Sequence, residues 1–151
     1  MIVYRDSVQG VVAAQLAGFF VGWPNPPRPE THLQILARSD HVVLAVDDVT
    51  GSVVGFANAI TDGVLCAYIP LLEVLPAYQG QGIGTALVRK MLDRLGDLYA
   101  VDLMCDPGVQ PFYERLGMRR ATGMMVRRYG RQAGGTSDEP QTLTPRLPVQ
   151  V

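Results

Sequence analysis

The stretch "LLEVLPAYQGQGIGTALVRKMLDRLG", Leu71 to Gly96, holds the change of secondary structure on which the fold turns. Leu71, Leu72, Val74 and Leu75 favour a strand that Pro76 ends, and Gly80, Gly82 and Gly84 follow at every second position. Ile83, Leu87, Met91 and Leu95 then repeat at helical spacing, with Arg89, Lys90, Asp93 and Arg94 opposite and Gly96 as the cap. Glycines at this junction have a physical use. A helix leaves its first N–H groups unpaired and carries a partial positive charge there. Without Cβ atoms, the turn admits a phosphate to the amides of residues 80 to 85, and Thr85 adds a hydroxyl. The stretch therefore predicts a diphosphate cradle between a strand and a helix.

Spacing sorts the known forms of such a cradle. A Walker A loop requires Lys followed by Ser or Thr after its glycines, whereas here Gly80 leads to Thr85 and Ala86. A dinucleotide fingerprint requires glycine where Thr85 stands and normally opens its domain, although Asp102 lies near the distance expected of a ribose-binding carboxylate. "QGQGIG", with Gln79, Gly82 and Gly84 in the defining positions, resembles instead the Gln/Arg-x-x-Gly-x-Gly/Ala motif of the GCN5-related N-acetyltransferase (GNAT) family. "FYERLGM" is similar to that family's Phe-Tyr-Glu-x-x-Gly-Phe segment, and comes in the right order. The resemblance covers residues 41 to 129; the first forty match only by the order of helices.

It implies an α/β fold, a central mixed and mostly antiparallel sheet flanked by helices and split between strands four and five. Acetyl-CoA would lie in that split as the acetyl donor, its pyrophosphate on Gln79, Gly80, Gln81, Gly82, Ile83, Gly84 and Thr85. Its pantetheine would bond to the backbone of Leu72, Glu73 and Val74 as an added strand does. Asp106 stands where the family often has Asn, and as an acceptor-only carboxylate it lacks the amide donor. Phe112 and Tyr113 fall in the second motif, with Tyr113 as the acid that protonates the departing thiolate and Val74 N–H as the donor to the developing oxyanion. The same phenol is also read as a core tyrosine beside Phe112. For the general base, Glu73, Asp62 and Tyr68 are rivals. For the acceptor, Phe20 and Trp23, near Phe19 in "FFVGWPNPPRPE", with Tyr68 opposite and Asp62 nearby, form a candidate pocket; packing under the proline loop is the simpler role. "GFANAITDG" resembles members that acetylate small amines. The expected activity is transfer of acetyl to a primary amine by direct attack in a ternary complex. A non-catalytic CoA-binding sensor or interaction module is the rival.

Around this centre, Val8, Val11, Val12, Leu16 and Phe19 predict a helix from Val8 to Phe20, capped by Ser7, and four prolines between Pro24 and Pro29 a stiff connector. A short helix follows over Glu30 to Ser39, with Leu33, Leu36 and Ala37 inward. "HVVLAVDD" and "SVVGFANAI" predict a hairpin about residues 49–51, and Val64 to Leu75 a strand in which Pro70 marks a bulge or an unpaired donor. "LYAVDLMC" reads as a buried strand, "VQPFYERLG" as a helix from Pro111 to Gly117, and "MRRATG" with "MMVRRYG" as a terminal hairpin. Residues 1–130 form one domain, and 131–151 a polar tail rich in Pro and Gly, either disordered or packed on the domain or a neighbour.

Composition narrows the partners. With 151 residues, 48% of them hydrophobic, the chain suits one domain with a real core. A formal net charge of −1 offers no field for nucleic acid, and no apolar run approaches the roughly 20 residues that span a bilayer. Cys66 and Cys105 with His32 and His41 are too few and scattered for a metal cluster or disulfide framework, which fits a cytoplasmic protein. Cys105 reads as a small core residue. The expected partner is a small-molecule amine; a homodimer is an expectation from the resemblance.

Overall fold

Residues 41–75 are rich in Val, Ile, Leu, Ala and Phe, side chains that suit a sheet covered on both faces. In the computed structural model, which describes residues 1–135, they form its centre. Strands β1 (Ile2–Arg5), β2 (His41–Asp47), β3 (Val53–Thr61), β4 (Cys66–Val74) and β5 (Ala100–Asp102) lie side by side in that order. The first four are antiparallel and β5 runs parallel to β4. A parallel step needs a crossover, and α2 (Ile83–Leu95), which follows α1 (Pro29–Arg38) in the chain, supplies it.

The expected stripe of Ile83, Leu87, Met91 and Leu95 is buried against Val43, Ala45, Val54 and Ala57. Gly55 lets the helix approach: a Cβ there would stand 3.1 Å from Leu87 Cδ1. Gly96, at φ +60, ends α2 as predicted. The opposite face is covered by α1 and the segment before it, through Leu16, Phe19, Phe20 and Leu36.

Two features open the sheet. Tyr68 pairs with Ile60 and Leu71 with Asn58, so three steps of β4 oppose two of β3 and a bulge falls at Ile69 and Pro70. Meanwhile β4 pairs with β5 only through Cys66 to Tyr68, and β5 ends at Asp102. Beyond that height β4 runs on to Val74 without a neighbour on that side. This is the expected split between the fourth and fifth strands.

Several local expectations are corrected. No helix spans Val8 to Phe20: Gly10 and Gly18 adopt φ +76 and +92, Ser7 Oγ accepts only from Gln9 N–H, and Ala13–Leu16 makes one 3-10 turn. Strand β1 occupies a terminus for which no element was expected. On α1, Ala37 is exposed and His32 takes the inward place. "LYAVDLMC" yields three strand residues, none of them buried. The terminal hairpin is absent: residues 118–128 hold no regular element, and Arg120 bonds Glu114 instead. A two-stranded ribbon with no packed face is marginal in water. Past Gly130 the described chain still touches the domain, since Gln132 Oε1 accepts from Asn25 N–H at 2.9 Å. The rest of the tail, 136–151, lies outside the described residues.

Candidate active site

The glycine turn is open. Gly80 and Gly82 sit at φ +74 and +81, conformations that side chains resist, and no atom lies within 4 Å of where a Cβ would stand at either. Gly82 is the N-cap of α2, which has no capping side chain and no acidic residue in its first turn. The amides of Ile83, Gly84 and Thr85 thus open α2 with nothing negative to oppose an anion. Gly84 serves differently: a Cβ there would meet the Phe112 ring at 3.5 Å and Val74 Cγ2 at 3.8 Å, so its absence lets α3 (Gln110–Glu114) close over the turn. Gln79 Nε2 donates to Val74 O at 3.0 Å and ties the turn to the end of β4. Tyr78, which sequence reasoning missed, donates its O–H to Asp47 Oδ2 at 2.8 Å, anchoring the turn to β2. That bond raises the Tyr78 phenol and lowers the Asp47 carboxyl from their ordinary pKa values.

Pairing decides which main-chain groups face the split. Leu75 N–H bonds Val54 O at 2.8 Å, so by antiparallel alternation Glu73 also turns its backbone to β3, and Leu72 and Val74 turn theirs the other way. Of the three residues expected to bond pantetheine through their backbone, Glu73 is therefore corrected: its main chain is engaged in the sheet. Leu72 and Val74 N–H point into the split, and the residues present fit a diphosphate followed by an extended amide-bearing arm.

The Glu73 side chain lies on the α1 side. Its Oε2 accepts from Phe20 N–H at 2.8 Å and its Oε1 from Val21 N–H at 3.2 Å. Phe20, at φ +62, is the one non-glycine residue among those described with positive φ, and this carboxylate holds it there. A cavity of about 390 Å³ is lined here by Phe20, Val21, Trp23, Phe56, Leu71, Leu72, Glu73, Val74, Pro76 and Gln79. It brings together the expected Phe20 and Trp23 with the end of β4. Behind it His32, 1% exposed, packs against Phe20 and Phe56 at ring distances of 4.8 and 4.4 Å. Neither ring nitrogen has a partner, and burial pulls the imidazole down to about 4, so it is neutral at physiological pH. Val21, Phe56, Leu71 and Pro76 were not among the site residues expected from the sequence, because their place in the cavity depends on the loop and sheet meeting.

Tyr113 is 9% exposed on α3, edge-on to Phe112 at 4.9 Å. Burial, and secondarily the charge of Cys105, push its phenol up to about 12, so it is a protonated group at neutral pH. It does not line the cavity. Asp106 is exposed at the start of a 3-10 turn, where its carbonyl accepts from Val109 N–H at 2.9 Å. Asp62 is corrected as a proton acceptor. Its Oδ1 accepts from the amides of Val64, Leu65 and Cys66, and these bonds, Leu65 first, pull the carboxyl down to about 2. Tyr68 is exposed beyond the bulge and does not line the cavity. A second, more open groove along α2 joins Gly82 and Thr85 to Arg89, Lys90 and Asp93, residues of the helix's polar stripe. Lys90 Nζ also stands 5.1 Å from the centre of the Tyr4 ring.

Comparison with known proteins agrees with this geometry. The chain is similar to an acetyltransferase-assigned protein of Deinococcus radiodurans whose crystal structure superposes with a TM-score of 0.87, at 53% identity over 90% of this chain and 94% of that one. It is 32% identical to histone acetyltransferase TAP1 of Glycine max over 64% of this chain and 46% of the relative. The chain spans about half the length of the curated relatives that it matches first. At the level of fold alone it is similar to AAC(6′)-Iy, solved with a bisubstrate analogue of CoA, with a TM-score of 0.62, 18% identity and coverage of 85% of this chain and 97% of that one. The model of the acetyltransferase (GNAT) family matches residues 8–118. With more than half of its length in that match and with the split sheet and glycine turn in place, the chain belongs to the GNAT acetyltransferase family.

Proposed function

We propose that the protein is an N-acetyltransferase that moves the acetyl group of acetyl-CoA to a primary amine of a small molecule, by direct attack while both substrates are bound. The observation that carries this reading is one cavity with two kinds of wall. Val74 and Gln79, which adjoin the glycine turn, share the cavity's lining with the side chains of Phe20, Trp23 and Glu73. In the reaction an ammonium loses a proton, its nitrogen bonds the acetyl carbon and gives up a second proton, the carbon–sulfur bond breaks, and sulfur takes up a proton. The sum is amide, CoA thiol and one proton released.

The chain's own groups divide the work. Amides of residues 80 to 85 hold the pyrophosphate, with Arg89 and Lys90 adding positive field from the α2 groove. Leu72 and Val74 N–H orient the arm, and the Val74 amide steadies charge on the carbonyl oxygen. Tyr113, held protonated, gives a proton to sulfur. Glu73 faces the amine side. Neither cysteine lines the cavity, and burial raises the Cys105 thiol, which supports direct attack over an acetyl-cysteine route. Both cysteines are free, in keeping with a cytoplasmic setting for the reaction; among the described residues, no helix is long and apolar enough to cross a membrane.

The test is initial-rate kinetics with both substrates varied, paired with mass spectrometry of enzyme incubated with acetyl-CoA alone. Intersecting lines and an unmodified chain are expected. Parallel lines with a chain heavier by one acetyl group would replace direct attack by a covalent route.

A further inference from the structure

Resting on that reading, we infer that the acceptor is a cationic primary amine carrying an apolar, preferably aromatic, body, and that sugars and anionic amines are refused. The amine end of the cavity is built from Phe20, Val21, Trp23, Phe56 and Leu71, with Glu73 as the one charged side chain among all the residues that line it. No cation answers Glu73: its carboxylate bonds two backbone amides, of Phe20 and Val21, and no described Lys or Arg pairs with it. Two ionised oxygens offer about four acceptor positions, and the amides fill two. A negative charge with free acceptor capacity at the edge of an aromatic wall matches an ammonium in two ways. It supplies a counter-ion, and the Trp23 ring, 39% exposed and on the same lining, is an aromatic surface of the kind that attracts a cation.

The same lining works against other acceptors. A carboxylate or phosphate on the amine would face Glu73 with nothing to neutralise it. A polyhydroxylated ring would bury most of its hydroxyls against Val21 and Leu71, with Glu73, Gln79 and the Trp23 indole N–H as the polar side-chain groups of the lining. Apolar substituents instead gain from burial, and a volume of about 390 Å³, shared with the acetyl-bearing arm, limits the body to roughly one ring. Glu73 thus does two jobs: it fixes the strained Phe20 that forms the wall, and it sets the sign of the pocket.

The experiment measures thiol release by the full chain at saturating acetyl-CoA with 2-phenylethylamine, hexylamine, glucosamine, glucosamine 6-phosphate and glutamate. CoA binding is followed separately by thermal shift. The expected result is a kcat/KM for 2-phenylethylamine at least 100-fold above those for the sugar amines and glutamate, with hexylamine between. Trp23 is 39% exposed and tolerates change, so Trp23→Arg keeps the CoA-induced shift, raises KM for 2-phenylethylamine at least tenfold and improves the phosphate-bearing or carboxylate-bearing amines. Glu73→Gln raises KM for the cationic amines similarly. Thiol release that favours a sugar or an anion, or CoA binding with release from neither apolar amine, overturns the inference and leaves the donor site standing. Failure of CoA to stabilise the wild-type chain overturns the transferase reading itself.

Discussion

The two sides of β4 solve binding in different currencies of structure. Toward α2, the proposed donor site is built of main-chain amides: the uncapped start of the helix, the left-handed glycines before it, and the outward N–H groups of Leu72 and Val74. Toward α1, the proposed acceptor site is built of side chains, with three aromatic rings and one carboxylate among the residues that line the cavity. Amides have the same chemistry whatever residue carries them, so a site made of them keeps one ligand while the sequence drifts. Side chains change with each substitution, so a site made of them is where a shared fold acquires its own acceptor.

That contrast can be broken in stages. Tyr113 is the exception on the main-chain side, and Tyr113→Phe is expected to lower kcat by about 100-fold or more while CoA affinity, read by calorimetry, stays within about twofold. An unchanged kcat would return Tyr113 to the core. Comparable in size is the pH dependence of His32. Its folded pKa of about 4 lies below the ordinary 6.5, so the unfolded chain binds the proton first as pH falls. Stability is full above about pH 6.5, declines as pH drops toward 4, and is lower by about 3 kcal/mol once below it. Urea melts of His32→Phe should lack this share of the acid loss. If wild type and variant decline in parallel, the imidazole is not buried neutral beneath the acceptor wall.

Gly82→Val places a branched side chain at φ +81 and is expected to weaken CoA binding about 30-fold, ~2 kcal/mol, with an unchanged circular dichroism spectrum. Affinity within threefold of wild type would show that the turn is not the anion site. The smallest effect belongs to Gln79→Ala, which removes the bond to Val74 O and costs about 1 kcal/mol, a change of roughly fivefold in CoA affinity. A larger loss would mean that Gln79 touches the ligand directly.

How much of this was legible follows the range of the interactions. The helix 83–95 was readable because its buried residues recur every turn, and Gly96 ends it by local backbone preference. The bulge at Pro70 was readable for the same reason, since a missing N–H is a property of one residue. The same local reasoning failed over residues 8–20, where apolar spacing was outvoted by Gly10 and Gly18, and over 118–128, where two apparent strands had nothing to pack on. Glu73 shows the limit most sharply. Its face was uncertain in sequence, and its partners, the amides of Phe20 and Val21, lie more than fifty residues away.

The sequence by itself determined the strand, the glycine turn, the amphipathic helix and the order of the two motifs, because each depends on backbone geometry within a few residues. Only tertiary structure decided which backbone groups β3 uses, which carboxylate the cavity beside β4 holds, and that His32 rather than Ala37 is buried. Those outcomes depend on which distant segment arrives at each surface, and a chain's local preferences carry no record of that arrival.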